Sequence, residues 1–174
     1  MWLIISICIL FAIWAVWYQE HSKKIEDQKN CSKGEKEYNA DISVIAKHVC
    51  GLPLGEKSEC KLYLSDNQII IESYGNIFKL DKKKIIDTSM KTSKEIQNSI
   101  SGAVGGAMLL GPIGAFIGGS STKLQIFLIF IYNSKEGNKC ISFEIENEGD
   151  RYNKARQFVE DFKNNITEKK EIEL

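Results

Sequence analysis

Residues Ser99–Thr122 read SISGAVGGAMLLGPIGAFIGGSST, and the remaining elements of the chain must accommodate this stretch. It holds seven of the thirteen glycines and no charged residue. It also lies between two segments whose composition is typical of β-strands, so it is not a terminal tail. We therefore interpret it as an insertion between strands of a β-domain.

The glycines of this stretch are spaced for close helix packing. Two pairs of glycines, each four positions apart, allow two helices to approach closely. The glycine-proline pair between them cannot continue a helix. We predict a helical hairpin with arms at Ile96–Leu110 and Ile113–Ser120. The residues assigned to the hairpin are Gly102, Gly106, Gly111, Pro112, Gly114 and Gly118.

Topology excludes a single membrane crossing by this hairpin. A crossing would place the strands before Met90 and those after Leu124 on opposite sides of a bilayer, where their backbone hydrogen bonds could not form. Each arm is also shorter than the ~20 residues that a crossing needs. We expect the hairpin to stay on one side, where it contacts lipid, an anchor helix, a partner or a second copy, or packs on its own domain.

Two groups of short β-like segments flank the hairpin. Their alternating apolar residues and regularly placed turns predict an antiparallel meander that curls into a barrel or a sandwich. The segment after the hairpin is apolar on both faces and should be covered on both sides. The predicted strands are Cys60–Leu64, Gln68–Glu72, Ile77–Leu80, Ile85–Met90, Leu124–Tyr132 and Lys139–Glu146.

Two further segments show the apolar spacing of amphipathic helices. In Glu35–Cys50 apolar residues recur every three or four positions, and Gly51 and Pro53 end the pattern. Asp150–Ile166 has the same spacing with a wider apolar stripe, so we expect it to lie against a core. The charged tail, Thr167–Leu174, is expected to be loose.

The N-terminal segment, Met1–Tyr18, contains no charged side chain. As a helix, its ~18 residues span about 27 Å, close to the thickness of a bilayer core, so we predict a single-pass anchor. Aromatic residues at its end and two following lysines place the N-terminus outside and the C-terminal domain in the cytoplasm. A cleaved signal peptide is the alternative, but it requires a basic start and a small-residue exit. The residues assigned to the anchor are Trp2, Trp14, Trp17, Tyr18, Lys23 and Lys24.

These segments predict an α+β protein in four parts. Residues 1–18 form a transmembrane anchor, and residues 19–43 form a juxtamembrane linker with the start of a helix. Residues 44–166 form the β-domain with its C-terminal amphipathic helix, and residues 96–122 of this domain are the inserted hairpin. Residues 167–174 are the tail.

Composition and motif spacing argue against an enzyme. The 23 basic and 23 acidic residues cancel, so no global field attracts nucleic acid. His48 and Cys50 are two positions apart but lack a third catalytic group, and neither a nucleotide fingerprint nor metal-ligand spacing occurs. We assign no catalytic residue, cofactor or metal. The five cysteines contain no C-x-x-C pair and indicate free thiols in a reducing compartment.

The succession of six or seven short strands and one C-terminal helix resembles the pleckstrin-homology-like (PH/GRAM-like) domain. Over roughly residues 44–166 the chain is similar to such proteins of low-GC Gram-positive bacteria that carry a glycine-zipper hairpin insertion. The matching stretches are Gly51-Leu52-Pro53-Leu54, the strand start at Cys60, Phe78-Lys79-Leu80, Glu95-Ile96-Gln97, Gly105–Gly119 and Ile141-Ser142-Phe143. The resemblance implies a membrane-associated domain that binds rather than catalyses.

The resemblance does not extend to phosphoinositide binding. Lipid-binding members hold inositol phosphates with basic residues around the first hairpin, whereas here the turn Ser65-Asp66-Asn67 has Glu59 and Glu72 beside it. A run of lysines farther along is a candidate contact for an anionic lipid surface, although a solvated turn also explains it. These residues, each worth about 1 kcal/mol at such a surface, are Lys82, Lys83 and Lys84.

Two functions of different classes remain. The first is a membrane-tethered, non-catalytic binding or scaffold module that presents its domain at the cytoplasmic membrane face. The second is a membrane-active protein whose glycine hairpins oligomerise and perturb the bilayer, as a prophage exclusion factor or a toxin would. The expected partners are the lipid bilayer and, through the hairpin, another protein or a second copy.

Overall fold

The chain folds into a seven-stranded antiparallel sheet with helices packed against it, an α+β arrangement. The computed structural model describes residues 2–102, 113, 114, 117, 124–147 and 149–170. The helices are α1 (Trp2–Tyr38), α2 (Ser93–Gly102) and α3 (Asp150–Lys170), with a 3-10 helix at Lys82–Lys84. The strands are β1 (Ala40–Cys50), β2 (Glu59–Ser65), β3 (Gln68–Ser73), β4 (Asn76–Asp81), β5 (Ile85–Thr92), β6 (Ile126–Ser134) and β7 (Gly137–Ile145).

The strand order across the sheet is β4-β3-β2-β1-β7-β6-β5, so the first and last strands of the chain are neighbours at its centre. All the pairings are antiparallel, which confirms the predicted antiparallel sheet. β2 and β3 form a hairpin that ends at the pair Leu64↔Ile69, and β6 and β7 form one that ends at Ser134↔Gly137. β4 and β5 are the two edges, so strand pairing does not close the sheet into a barrel.

One face of the sheet and α3 enclose the larger core. The apolar stripe predicted for the C-terminal helix is confirmed, because Ala155, Phe158, Val159 and Phe162 are all buried. The side chain of Ile166, the last member of that stripe, lies outside the described residues. The sheet residues buried in this core are Ile42, Val44, Ala46, Cys60, Leu62, Leu64, Ile69, Ile71, Leu80, Ile85, Leu128, Phe130, Ile141, Phe143 and Ile145.

A smaller core covers the opposite face of β6. Phe127 and Ile129 point into it, whereas their neighbours Leu128 and Phe130 point into the larger core. β6 is therefore buried on both faces, as its unbroken apolar sequence predicts. The other buried members of the smaller core are Val49, Ile96, Ile113 and Ile117.

α2 begins directly where β5 ends. Thr92 and Glu95 form a capping box, in which the Thr92 N–H donates to Glu95 Oε2 at 2.7 Å and the Glu95 N–H donates to Thr92 Oγ1 at 3.2 Å. The Thr92 N–H and the Thr92 hydroxyl, which also donates to Glu95 Oε2 at 2.7 Å, stabilise the carboxylate and lower the pKa of Glu95. Thr92, the last residue of β5, pairs with Ile126, the first residue of β6. The segment that connects the two strands therefore begins and ends at the same end of this strand pair.

Four of the six residues assigned to the hairpin lie outside the described residues, namely Gly106, Gly111, Pro112 and Gly118. Gly102 is the last residue of α2, and Gly114 is a half-buried helical residue. The helical residues Ile113 and Ile117 are buried against the sheet in the smaller core. The described part of the hairpin therefore packs on its own domain.

The amphipathic helix predicted over Glu35–Cys50 is wrong. α1 continues to Tyr38, Asn39 takes a positive φ of 48° that ends the helix, and β1 follows. Apolar residues at helical spacing also suit a central strand that is buried on both faces. In β1, Val44 and Ala46 face the larger core, while Ser43 and Ile45 on the other face are buried too.

Residues 19–34, the first part of the predicted juxtamembrane linker, are helical and belong to α1. They are rich in glutamate, glutamine and lysine, which are good helix formers, and the last turns of the helix dock on the sheet. A Cβ atom on Gly34 would overlap the ring of the fully buried Tyr63, so glycine permits the close approach there. Ser65 Oγ completes the contact by donating to the Tyr38 carbonyl at 3.0 Å.

The predicted transmembrane anchor is wrong. Within the described part of the chain, no helix is both long enough and apolar enough to cross a membrane. Charged residues of α1 begin at Glu20 and recur through the rest of the helix. The predicted single-pass topology, with an outside N-terminus and a cytoplasmic domain, depends on this anchor and is wrong too.

Candidate functional site

Residues 8–18 of α1 carry an exposed apolar surface that we call the apolar segment. Its large side chains are between 53% and 66% exposed. Folded monomers rarely expose a contiguous apolar patch of more than a few hundred Å² without a binding role. The large side chains of the apolar segment are Ile9, Leu10, Phe11, Ile13, Trp14, Val16, Trp17 and Tyr18. The side chain of Trp2, also assigned to the anchor, lies outside the described residues.

The exposed side chains of the apolar segment occur on every face of the helix. Successive residues of an α-helix are 100° apart, so Ile9, Leu10 and Phe11 already point in three different directions. The aromatic rings stack along the helix, with 5.5 Å between the centroids of Trp14 and Tyr18. This segment therefore has no single face that a neighbouring helix could cover.

A charged cleft of about 350 Å³ lies where α1, β1 and the start of α3 meet. Its charged lining residues are five basic and five acidic side chains, so their charges cancel and the cleft favours neither anions nor cations. Two of the basic residues were predicted as membrane-flanking lysines. The ten charged residues that line the cleft are Lys23, Lys24, Lys47, Arg151, Lys154, Glu20, Asp27, Glu59, Glu146 and Asp150.

Arg151 is the centre of the charged cleft. Its Nη2 lies 2.9 Å from Asp27 Oδ2 of α1, and its Nη1 lies 2.9 Å from Glu146 Oε1 just beyond β7. The side chains of Arg151 and Asp27 are only 24% and 14% exposed, so solvent screens this pair weakly. The guanidinium thus holds α1 against the start of α3, and we assign the charged cleft a structural role.

Replacing Arg151 with methionine is expected to lower the free energy of unfolding by about 1–3 kcal/mol, because it leaves the half-buried Asp27 carboxylate without its partner. Arg156→Met is the matched control, since the Arg156–Glu160 pair on the same helix is more than half exposed and should be worth ~0.3–0.5 kcal/mol. Urea denaturation followed by circular dichroism measures both values. Equal losses for the two variants would contradict the structural role of Arg151.

The lysines proposed as anionic-lipid contacts do not form a common patch. Lys82, Lys83 and Lys84 make one 3-10 turn, in which successive side chains point about 120° apart. Lys82 is buried, and its N–H donates to the Asn67 carbonyl at 3.0 Å. Asp81 caps the turn by accepting from the Lys83 N–H at 2.9 Å. The turn is therefore built into the sheet, and only part of the lysine run faces solvent.

His48 has a structural position rather than a catalytic one. Its Nε2 accepts from the Leu52 N–H at 3.2 Å, and its Nδ1 lies 3.2 Å from the Gly55 carbonyl, which fits a neutral ring with the proton on Nδ1. The ring packs on Phe143 in the larger core. The strand irregularity between His48 and Cys50 turns the Cys50 side chain toward the smaller core, so these two residues do not act together.

Among the described residues, no three histidine, cysteine, aspartate or glutamate side chains lie close enough together to hold a metal ion. The charged cleft, and the packing of Cys50 and Cys140 against the same smaller core, were both missed from the sequence. Their members are far apart along the chain, and no local spacing marks them.

No protein-family model matches this chain, and comparisons with curated proteins and with solved structures gave no match either. The resemblance to PH-like domains therefore stays a prediction. Function must be argued from the geometry of the described residues.

Proposed function

We propose that this protein is a non-catalytic binding module whose apolar segment contacts a lipid bilayer and holds the sheet domain at the bilayer surface. The observation that carries the proposal is the ring of large apolar side chains, each more than half exposed, around the first described turns of α1.

The distribution of these side chains favours lipid over a protein partner. A partner helix covers one stripe, and coiled-coil helices show an apolar seam with polar residues opposite. In the apolar segment, exposed apolar residues surround the helix, and acyl chains can cover all of these faces at once.

The polar end of the segment also fits this proposal. Trp14, Trp17 and Tyr18 precede Gln19 and Glu20, at the change from apolar to polar sequence. Amphipathic aromatic rings prefer this boundary between acyl chains and headgroups. The same helix continues into the domain, where Gly34 and the Arg151 ion pairs hold it on the sheet. Lipid contact at one end of α1 would thus set the position of the domain.

Intrinsic fluorescence tests the proposal without a label, because all three tryptophans of the chain, Trp2, Trp14 and Trp17, belong to α1. We expect the emission to shift to shorter wavelength when phosphatidylcholine–phosphatidylglycerol vesicles are added, and brominated acyl chains to quench it. The protein should also float with these vesicles.

A charge-insertion variant makes the test specific. Leu10→Asp combined with Val16→Asp keeps every tryptophan and should weaken vesicle binding by at least about 100-fold, since an aspartate costs ~2.5–3.5 kcal/mol in an apolar bilayer. The matched control is Ile77→Asp with Ile86→Asp, because these residues on β4 and β5 are also about half exposed. The control should bind vesicles as the wild type does.

Two results would overturn the proposal. One is an unchanged emission spectrum together with failure to float. The other is a shift that occurs without vesicles and grows with protein concentration, which would identify a second copy as the occupant. The bilayer-perturbing alternative depends on glycines such as Gly106 and Gly118 that lie outside the described residues, so no contact favours it. Dye release from the same vesicles would distinguish it from simple binding.

A further inference from the structure

Two cysteines that are distant in sequence meet between neighbouring strands. Cys50 is the last residue of β1 and pairs with Ser142 of β7, and Cys140 lies two residues before Ser142. Cys50 Sγ is 3.2 Å from Ser142 Oγ, and Cys50 and Cys140 pack against the same smaller core. Both cysteines are half-buried at the rim of the smaller core, so small molecules can reach them. We call Cys50 and Cys140 the thiol pair.

The backbone is shaped to bring the thiol pair together. The register between β1 and β7 shifts between His48 and Cys50, so that Cys50 lies opposite Ser142 and packs against the same core as Cys140. Gly51 follows with a φ of +98°, and a Cβ atom there would overlap the Cys140 carbonyl oxygen. Glycine at this position lets the two strands approach closely, as a disulfide between them requires.

Hydrogen bonds shift the pKa values of the two thiols of the pair in opposite directions. The Cys140 thiol and the Ser142 hydroxyl both hydrogen-bond to Cys50, and these bonds lower the pKa of Cys50 against the opposing effect of burial. Donation to Cys50, together with burial, raises the pKa of Cys140. Burial also raises the pKa of Cys31 and of Cys60. Cys50 is therefore favoured as the nucleophile and Cys140 as the partner that keeps its proton.

We propose that the thiol pair is a redox-active site, in which a peroxide oxidises Cys50 and Cys140 then closes a reversible disulfide between β1 and β7. This inference is independent of lipid contact, because the thiol pair lies on the sheet.

The steps balance with hydrogen peroxide as the oxidant. The Cys50 thiolate attacks one peroxide oxygen, the O–O bond breaks, and a sulfenic acid forms while the departing hydroxide takes a proton and becomes water. The Cys140 sulfur attacks the Cys50 sulfur, the S–O bond breaks, and a second water leaves with the Cys140 proton. In sum, two thiols and one peroxide give one disulfide and two waters. A small dithiol restores both thiols by exchange and is itself oxidised to a disulfide.

The test uses the folded full-length protein and hydrogen peroxide. We expect titratable thiols to fall from five to three per chain, with a Cys50–Cys140 linked peptide in a non-reducing digest, and dithiothreitol to restore all five. In Cys140→Ser the Cys50 sulfenic acid should accumulate and react with dimedone. In Cys50→Ser the oxidation of Cys140 should be at least about tenfold slower. Cys31→Ser and Cys60→Ser are the controls, and both should still form the linked peptide.

Three outcomes would overturn the inference. These are five thiols retained by the folded protein after peroxide treatment, a disulfide that joins other cysteines, and a Cys50→Ser variant in which Cys140 is oxidised as fast as in the wild type. Circular dichroism of each variant before oxidation separates loss of reactivity from loss of folding.

Discussion

Replacing Phe158 with alanine is expected to lower the free energy of unfolding by about 3–5 kcal/mol. Phe158 is completely buried, and its ring meets that of Phe130 edge to face at a centroid distance of 6.2 Å. It anchors α3 on the sheet between the fully or nearly fully buried Ala155 and Phe162. Truncation would leave a cavity next to Phe130 of β6, and the rigid sheet cannot move in to fill it.

Urea denaturation followed by far-ultraviolet circular dichroism measures this loss. Gln157→Ala, at the exposed neighbouring position, is the control and should change the free energy of unfolding by no more than about 0.5 kcal/mol. Phe158→Leu should recover most of the loss, because it refills much of the volume. A loss below 1 kcal/mol for the alanine variant would show that α3 does not close the larger core.

Replacing Gly51 with alanine is expected to lower the free energy of unfolding by about 3 kcal/mol or more. The residue has a φ of +98°, which side chains adopt only at a cost of ~1–3 kcal/mol, and the new methyl group would overlap the carbonyl oxygen of Cys140. Because this neighbour is backbone in a central strand, no flexible side chain can move aside. The substitution should therefore push β1 away from β7 at this point.

Gly75→Ala is the matched control for Gly51→Ala. Gly75 has a φ of +79° in the turn between β3 and β4, but no atom lies within 4 Å of an added Cβ. Gly75→Ala should therefore lower the free energy of unfolding only by the cost of the positive φ, about 1–2 kcal/mol. The difference between the two variants in thermal and urea denaturation measures the overlap at Gly51. Equal losses would mean that β1 and β7 are not in close contact there.

Local periodicity was sufficient to predict which apolar residues of α3 and β7 are buried. The stripe of α3 repeats every three or four residues, and Phe158 and Val159 are buried as it predicts. β7 alternates, and its inward residues Ile141, Phe143 and Ile145 are buried. For these apolar residues the environment follows from their position within the helix or strand. Ser142 of β7 departs from the rule, because it lies between Ile141 and Phe143 and is buried too.

The same reasoning failed where one pattern suits two structures. The spacing of Ile42, Ile45 and Val49 fits a helical face, but it also fits β1, which is buried on both faces at the centre of the sheet. The central position of β1 depends on its pairing with both β2 and β7, and the partner strand β7 lies about ninety residues farther along. No local signal records that pairing.

The sequence by itself determined an α+β chain with an antiparallel sheet, a C-terminal helix packed on the larger core and an insertion between two neighbouring strands. Only the tertiary structure decided that α1 continues past the apolar segment to dock on Tyr63, that Arg151 joins it to α3, and that Cys50 meets Cys140. The physical reason is the range of the interactions. Periodicity reports how a residue faces its own element, whereas these contacts join residues tens of positions apart and depend on the strand order of the sheet.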